Sequence, residues 1–187
     1  MTEDTTHASS EIHKEHVFEE HIATSLEQAQ GYLQRHGEND YNAELALDTE
    51  LLFRFLKTTQ PDTWQQLEDQ YSESAEAELL KRLQRALQEN PTHIVLRQGI
   101  RLVPNINFSL CYFKPASNLN PDLTALYEAN ILSVMRQVYY STKNRNSIDL
   151  VLFVNGIPVV TMEAKNHLTK QTYRHAEKQY RTDRSPA

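Results

Sequence analysis

Asn155-Gly156 stands between two apolar, β-branched runs, Ser147 to Val154 and Ile157 to Lys165, and this arrangement commits the region to a β-hairpin. Asn-Gly favours the left-handed backbone of a tight turn, and its flanks suit a pleated, half-buried surface. Side chains alternate faces along a strand, so Glu163 and Lys165 share one face while Ala164 takes the other. Asp149 lies near the start of the first strand.

Turn length decides whether Asp149 joins them. A strict two-residue turn pairs Val154 with Ile157 and therefore Asp149 with Met162, which leaves Glu163 on the opposite side. A bulge, or a three-residue loop with Gly156 left-handed, shifts the register by one and sets Asp149 across from Glu163. A bulge or three-residue loop is therefore the expectation. The run Ile157 to Met162 is also apolar enough to predict a strand covered on both faces.

Two carboxylates and an ammonium on one hairpin have a definite chemistry. Magnesium is held by few carboxylate oxygens and keeps several waters, so Asp149 and Glu163 suit it, with the Ala164 carbonyl as a further ligand. Such an ion acidifies bound water and neutralises charge developing on a phosphate. Lys165 would orient or deprotonate that water. The competing structural readings are an exposed Glu-x-Lys charge pair and an Asp149 that serves only as a strand-start turn residue.

Charge distribution bears on the partner. The chain carries a net charge of -6, yet Tyr140 to Ala187 holds eight basic and four acidic residues, a local +4 that leaves -10 for the first 139. Lys170, Arg174, Lys178, Arg181 and Arg184 follow the hairpin on an expected basic helix, about Thr169 to Arg184. This stripe is suited to the phosphates of double-stranded DNA, or else is a solvated helix face. The single Cys111 excludes a disulfide framework and a paired-cysteine zinc site, which points to a reducing, cytoplasmic location. No apolar stretch reaches membrane-spanning length and no secretory signal opens the chain, so no membrane partner is expected.

The length fits a flexible leader, 1–13, and a single domain, 14–187. Phe18, Ile22, Leu26, Ala29 and Leu33 predict an amphipathic helix from His16 to Arg35, with Glu19 and Glu20 beside its stripe. A helical insertion, about 42–90, follows as two helices, Asn42 to Gln60 and Thr63 to Gln88. Ile94 to Leu96, Ile100 to Val103 and Phe108 to Phe113 read as short strands. Pro121 to Tyr140 reads as a helix with Leu123, Leu126, Tyr127, Ile131, Val134 and Val138 as its core stripe. The hairpin occupies about 147–165, and the sum is an α+β fold: a mixed sheet of four or five strands flanked by helices.

Several segments recur together in one known family: Val17-Phe18-Glu19-Glu20, Leu47-Asp48 to Phe55-Leu56, Thr59-Gln60-Pro61, Val95 to Ile100, Tyr112-Phe113-Lys114-Pro115, Leu126 to Asn130, Arg136-Gln137, Ser147 to Pro158 and Glu163-Ala164-Lys165-Asn166. With them the chain resembles a PD-(D/E)xK nuclease domain, specifically that of the restriction (R) subunit of type I restriction-modification enzymes. The resemblance implies a restriction-endonuclease-like fold, cleavage by Asp149, Glu163 and Lys165, and magnesium as cofactor. It further implies a catalytic glutamine, Gln179, on the following helix, and an accessory role for Glu19 near the metal. One form of the family pattern, Gln-x-x-x-Tyr, is not kept: position 183 is aspartate and the tyrosine is Tyr180, about 100 degrees round the helix from Gln179. Arg136 and Gln137 either touch DNA or pack and pair with neighbouring helices.

By the same resemblance, the whole subunit joins the nuclease to an ATP-driven translocase, assembles with methyltransferase (M) and specificity (S) subunits, and cuts unmethylated foreign DNA. The chain has four glycines, none in a phosphate-cradling Gly-x-x-x-x-Gly-Lys loop, so ATP is expected to be used only by the full subunit and the translocase to lie outside this sequence. Alternatives are a nuclease-like module that docks DNA or subunits without cutting, and a scaffold whose acidic helical insertion binds another protein.

Overall fold

The computed structural model describes residues 3–117, 119–141, 146–164, 177–178 and 181, with side chains from residue 16 onward. Its centre is a four-stranded mixed sheet of β1 (Leu33–His36), β4 (Leu132–Tyr139), β5 (Ser147–Val154) and β6 (Ile157–Met162), in that spatial order. β1 runs parallel to β4, and the other pairs are antiparallel. β5 is paired on both sides and buries Leu150, Val151 and Phe153. β6 is an edge strand with Val159, Val160 and Thr161 exposed, which corrects the expectation of a strand covered on both faces. Its Pro158 fits that position, because proline cannot donate to a ladder.

Helix α1 (Glu3–Gln30) lays Ile22, Ala23 and Leu26 against Val134, Leu150, Leu152 and Met162. Another cluster gathers Met135, Val138, Val151 and Phe153 with Tyr41, whose ring meets Phe153 edge-on at 6.3 Å. From Glu3 onward the expected leader belongs to α1, and the helix stops at Gln30 rather than Arg35. Gly31, at φ 70°, turns the chain out so that Leu33 to His36 pair as β1.

A second body of structure comprises α2 (Thr49–Thr59), α3 (Pro61–Tyr71), α4 (Ala75–Glu89), α5 (Thr92–Gln98) and the two-stranded sheet of β2 (Ile100–Leu102) with β3 (Ile106–Phe108). It holds the largest apolar core, including Leu52, Phe55, Leu67, Leu79, Leu83, Val95 and Phe108. The single helix expected over Thr63 to Gln88 is broken at Ser72, whose φ of 51° a continuing helix cannot adopt. Ile94 to Leu96 form part of α5 instead of a strand: the Pro91 carbonyl accepts the amides of Ile94 and Val95, and Gly99 at φ 70° closes the helix. The strand expected over Phe108 to Phe113 ends at Phe108.

The helix expected over Pro121 to Tyr140 is likewise only α6 (Pro121–Glu128). Asn130 fixes the exit, donating to the carbonyls of Tyr127 and Tyr112 at 2.7 and 2.6 Å and accepting the Tyr112 amide. The chain then continues as β4, between β1 and β5.

The hairpin turn is a buried junction between the two bodies. Asn155 and Gly156 both have positive φ, 51° and 78°, as a two-residue hairpin turn with left-handed central residues requires. The fully buried Asn155 side chain donates to Leu110 O and Asn130 Oδ1 and accepts the Ile131 amide at 2.7 Å. A Cβ on Gly156 would collide with the Asp48 carbonyl, while the Gly156 carbonyl accepts the Asp48 amide at 2.9 Å. Asp48 caps α2 through Leu51 N and pairs with Arg35 of β1 at 2.9 Å. Burial works against the Arg35 charge, but hydrogen bonds to Asp48 and Glu50 and the fields of Asp48 and Asp40 outweigh it and raise the guanidinium pKa.

Candidate active site

The hairpin brings Asp149 and Glu163 together by a route the turn itself does not supply. Val154 pairs with Ile157, so the turn has two residues and the three-residue loop does not form. Phe153 then pairs with Pro158, but Leu152 pairs with Val160, so Val159 is an extra residue bulged out of β6. The bulge shifts the register by one, as Leu150 opposite Met162 demonstrates. Continued one step past that pair, the same register would set Asp149 opposite Glu163. The Ala164 amide donates to Asp149 Oδ2 at 2.7 Å, tying the carboxylate to the segment that carries Glu163. Asp149 and Glu163 are half-buried and Ala164 is buried.

Glu19 comes in from α1. It is 2% exposed whereas its neighbour Phe18 is 51% exposed, the reverse of what their hydrophobicities dictate. Phe18 thus drops out of the expected core stripe. Gln137 Nε2 donates to both Glu19 oxygens at 3.0 Å, and His16 Nδ1 lies 3.5 Å from Oε2. Gln137 Oε1 in turn accepts from Ser147 Oγ at 2.9 Å. Its neighbour Arg136 points Nη1 towards Glu20 at 3.9 Å. Both side chains therefore engage α1, as the packing alternative for this pair has it. A cleft of about 480 Å³ borders Gln137 between α1 and the β1–β4 end of the sheet, lined by His16, Glu20, His36, Arg136 and Tyr139 among others.

Lys165, Lys170, Arg174, Gln179 and Arg184 lie outside the described residues. Lys178 and Arg181 are exposed, and Arg181 pairs with Glu177 at 2.9 Å. Among the described residues no group of three or more His, Cys, Asp or Glu gathers to hold a metal. Two opposed carboxylates still fit a hard cation that keeps most of its water, and not a closed structural site.

Residues 13–187 match the family model described as the type I restriction enzyme R protein N terminus. The chain belongs to that family. No match was found among curated proteins or among solved structures. No described helix of this R-protein N-terminal chain is long and apolar enough to cross a membrane. Gln137, which contacts Glu19 and Ser147, lies outside the expected Asp149, Glu163 and Lys165 set. Its signal in the sequence is the polar pair Arg136-Gln137 set between Val134-Met135 and Val138.

Proposed function

We propose that the chain is the magnesium-dependent DNA endonuclease domain of a type I restriction enzyme R subunit, with a PD-(D/E)xK fold and cleavage machinery. The observation that supports this reading most directly is the Val159 bulge, whose register would set Asp149 opposite Glu163, together with the Ala164 amide on Asp149. Asp149, Glu163 and the Ala164 carbonyl would hold Mg2+. Bound there, the ion would acidify a water and neutralise charge on the scissile phosphate. Lys165 would orient the attacking water and Gln179 assist it, while Glu19 adds negative potential beside the site. Lys170, Arg174, Lys178 and Arg181 would hold the phosphates of double-stranded DNA.

In this proposal the complete subunit works in the cytoplasm with M and S subunits. ATP drives its translocase, and unmethylated foreign DNA is the substrate. The test is conversion of supercoiled plasmid in Mg2+ by the chain, and by the complete R, M and S assembly with ATP. Asp149→Ala should slow cleavage on the order of 10³-fold, matching the several kcal/mol a metal contributes to the transition state. Cutting by the mutant assembly at the wild-type rate would refute the assignment. DNA binding without any cleavage by the wild-type assembly would instead favour a docking module.

A further inference from the structure

We propose that Gln137 is a positioning residue of the metal site: it clamps Glu19 of α1 to the leading end of β5, and the site's cation affinity depends on that clamp. This rests on the nuclease reading above and deepens it. The β4–β5 ladder pairs Arg136 with Leu150 and Val138 with Ile148, skipping Gln137, whose counterpart across the strands is Asp149. Gln137 has φ 49°, a conformation rare for a residue with a Cβ and kept only where the surroundings impose it.

The surroundings are the contacts of one amide. A carboxylate can only accept, so the NH2 group faces both oxygens of Glu19, and the amide oxygen is thereby turned to Ser147 Oγ, two residues before Asp149. One side chain thus spans from a helix carboxylate to the strand that carries the candidate metal ligand. A neutral amide also suits a clamp of this kind, because it orients Glu19 without neutralising it. A lysine or arginine at this position would cancel the negative potential a cation needs.

Mn2+ titration calorimetry of the chain, with thermal midpoints recorded in parallel, tests the clamp. Gln137→Gly removes the side chain yet tolerates the positive φ, so the chain should still fold, with a midpoint lowered by the loss of the buried Glu19 carboxylate's partner. Mn2+ affinity should fall about tenfold or more, the scale of outer-shell support around a metal. Glu19→Ala should weaken affinity similarly, and the double variant should be no weaker than the worse single, as expected for residues acting as one unit. Gln137→Asn, one methylene short, serves if the glycine variant does not fold, and should show the same loss. Wild-type affinity in these Gln137 variants, alongside a clear loss in Asp149→Ala, overturns the inference and leaves the nuclease reading standing. Mn2+ uptake indifferent to Asp149→Ala overturns the nuclease reading itself.

Discussion

At the scale of single residues, the most consequential side chains are polar ones placed where apolar ones are the norm. Asn155 satisfies three backbone or amide groups inside the protein, so Asn155→Ala leaves the Ile131 amide and the Leu110 carbonyl without their partner. Each orphaned buried group costs about 1–3 kcal/mol, so a loss of about 3 kcal/mol is expected in urea unfolding of the variant. By contrast, the exposed Lys57–Glu76 pair, at 2.9 Å, is worth only about 0–1 kcal/mol. Cys111 makes a separate prediction. Burial raises its thiol pKa, and only the thiolate reacts with iodoacetamide. Its alkylation should therefore rise at higher pH than that of an unstructured cysteine peptide, and identical pH profiles by mass spectrometry would contradict the burial.

At the scale of elements, the Val159 bulge makes a sharp prediction. Inserting one alanine between Thr161 and Met162, past the bulge, should keep the strand content seen by circular dichroism and move Asp149 opposite Met162 with Glu163 on the other face. Metal-dependent cleavage should vanish with the fold intact. The hairpin is legible in the sequence because Asn-Gly and two alternating runs act locally, and the need for an irregularity follows from counting residues between Asp149 and Glu163. β4 is not legible as a strand, because Ile131, Val134 and Val138 continue the three-to-four spacing of Leu123, Leu126 and Tyr127. What overrides that spacing is pairing on both sides, with β1 and β5. The Gln137–Glu19 contact is beyond local reading altogether: it joins residues 118 apart and depends on a backbone angle that composition does not encode.

At the scale of the whole molecule, the sheet and the helical body meet at few points. Among the described residues, Ile157 is the one member of the four-stranded sheet buried within the large helical core. Ile157→Ala should cost about 2–5 kcal/mol, as buried aliphatic truncations do. Hydrogen exchange should then show amides of α2 to α4 losing protection separately from those of β4 and β5. Equal loss across both bodies would mean that they unfold as one regardless of this contact.

The buried Asn155-Gly156 corner makes the hairpin a lever with its fulcrum under α2. From Val154 to Asp149 the strand spans roughly 17 Å, so a tilt of a few degrees at the corner is magnified into about an ångström of travel at the carboxylates. Anything that nudges the helical body therefore has a mechanical purchase on the proposed cleavage without ever approaching the two carboxylates.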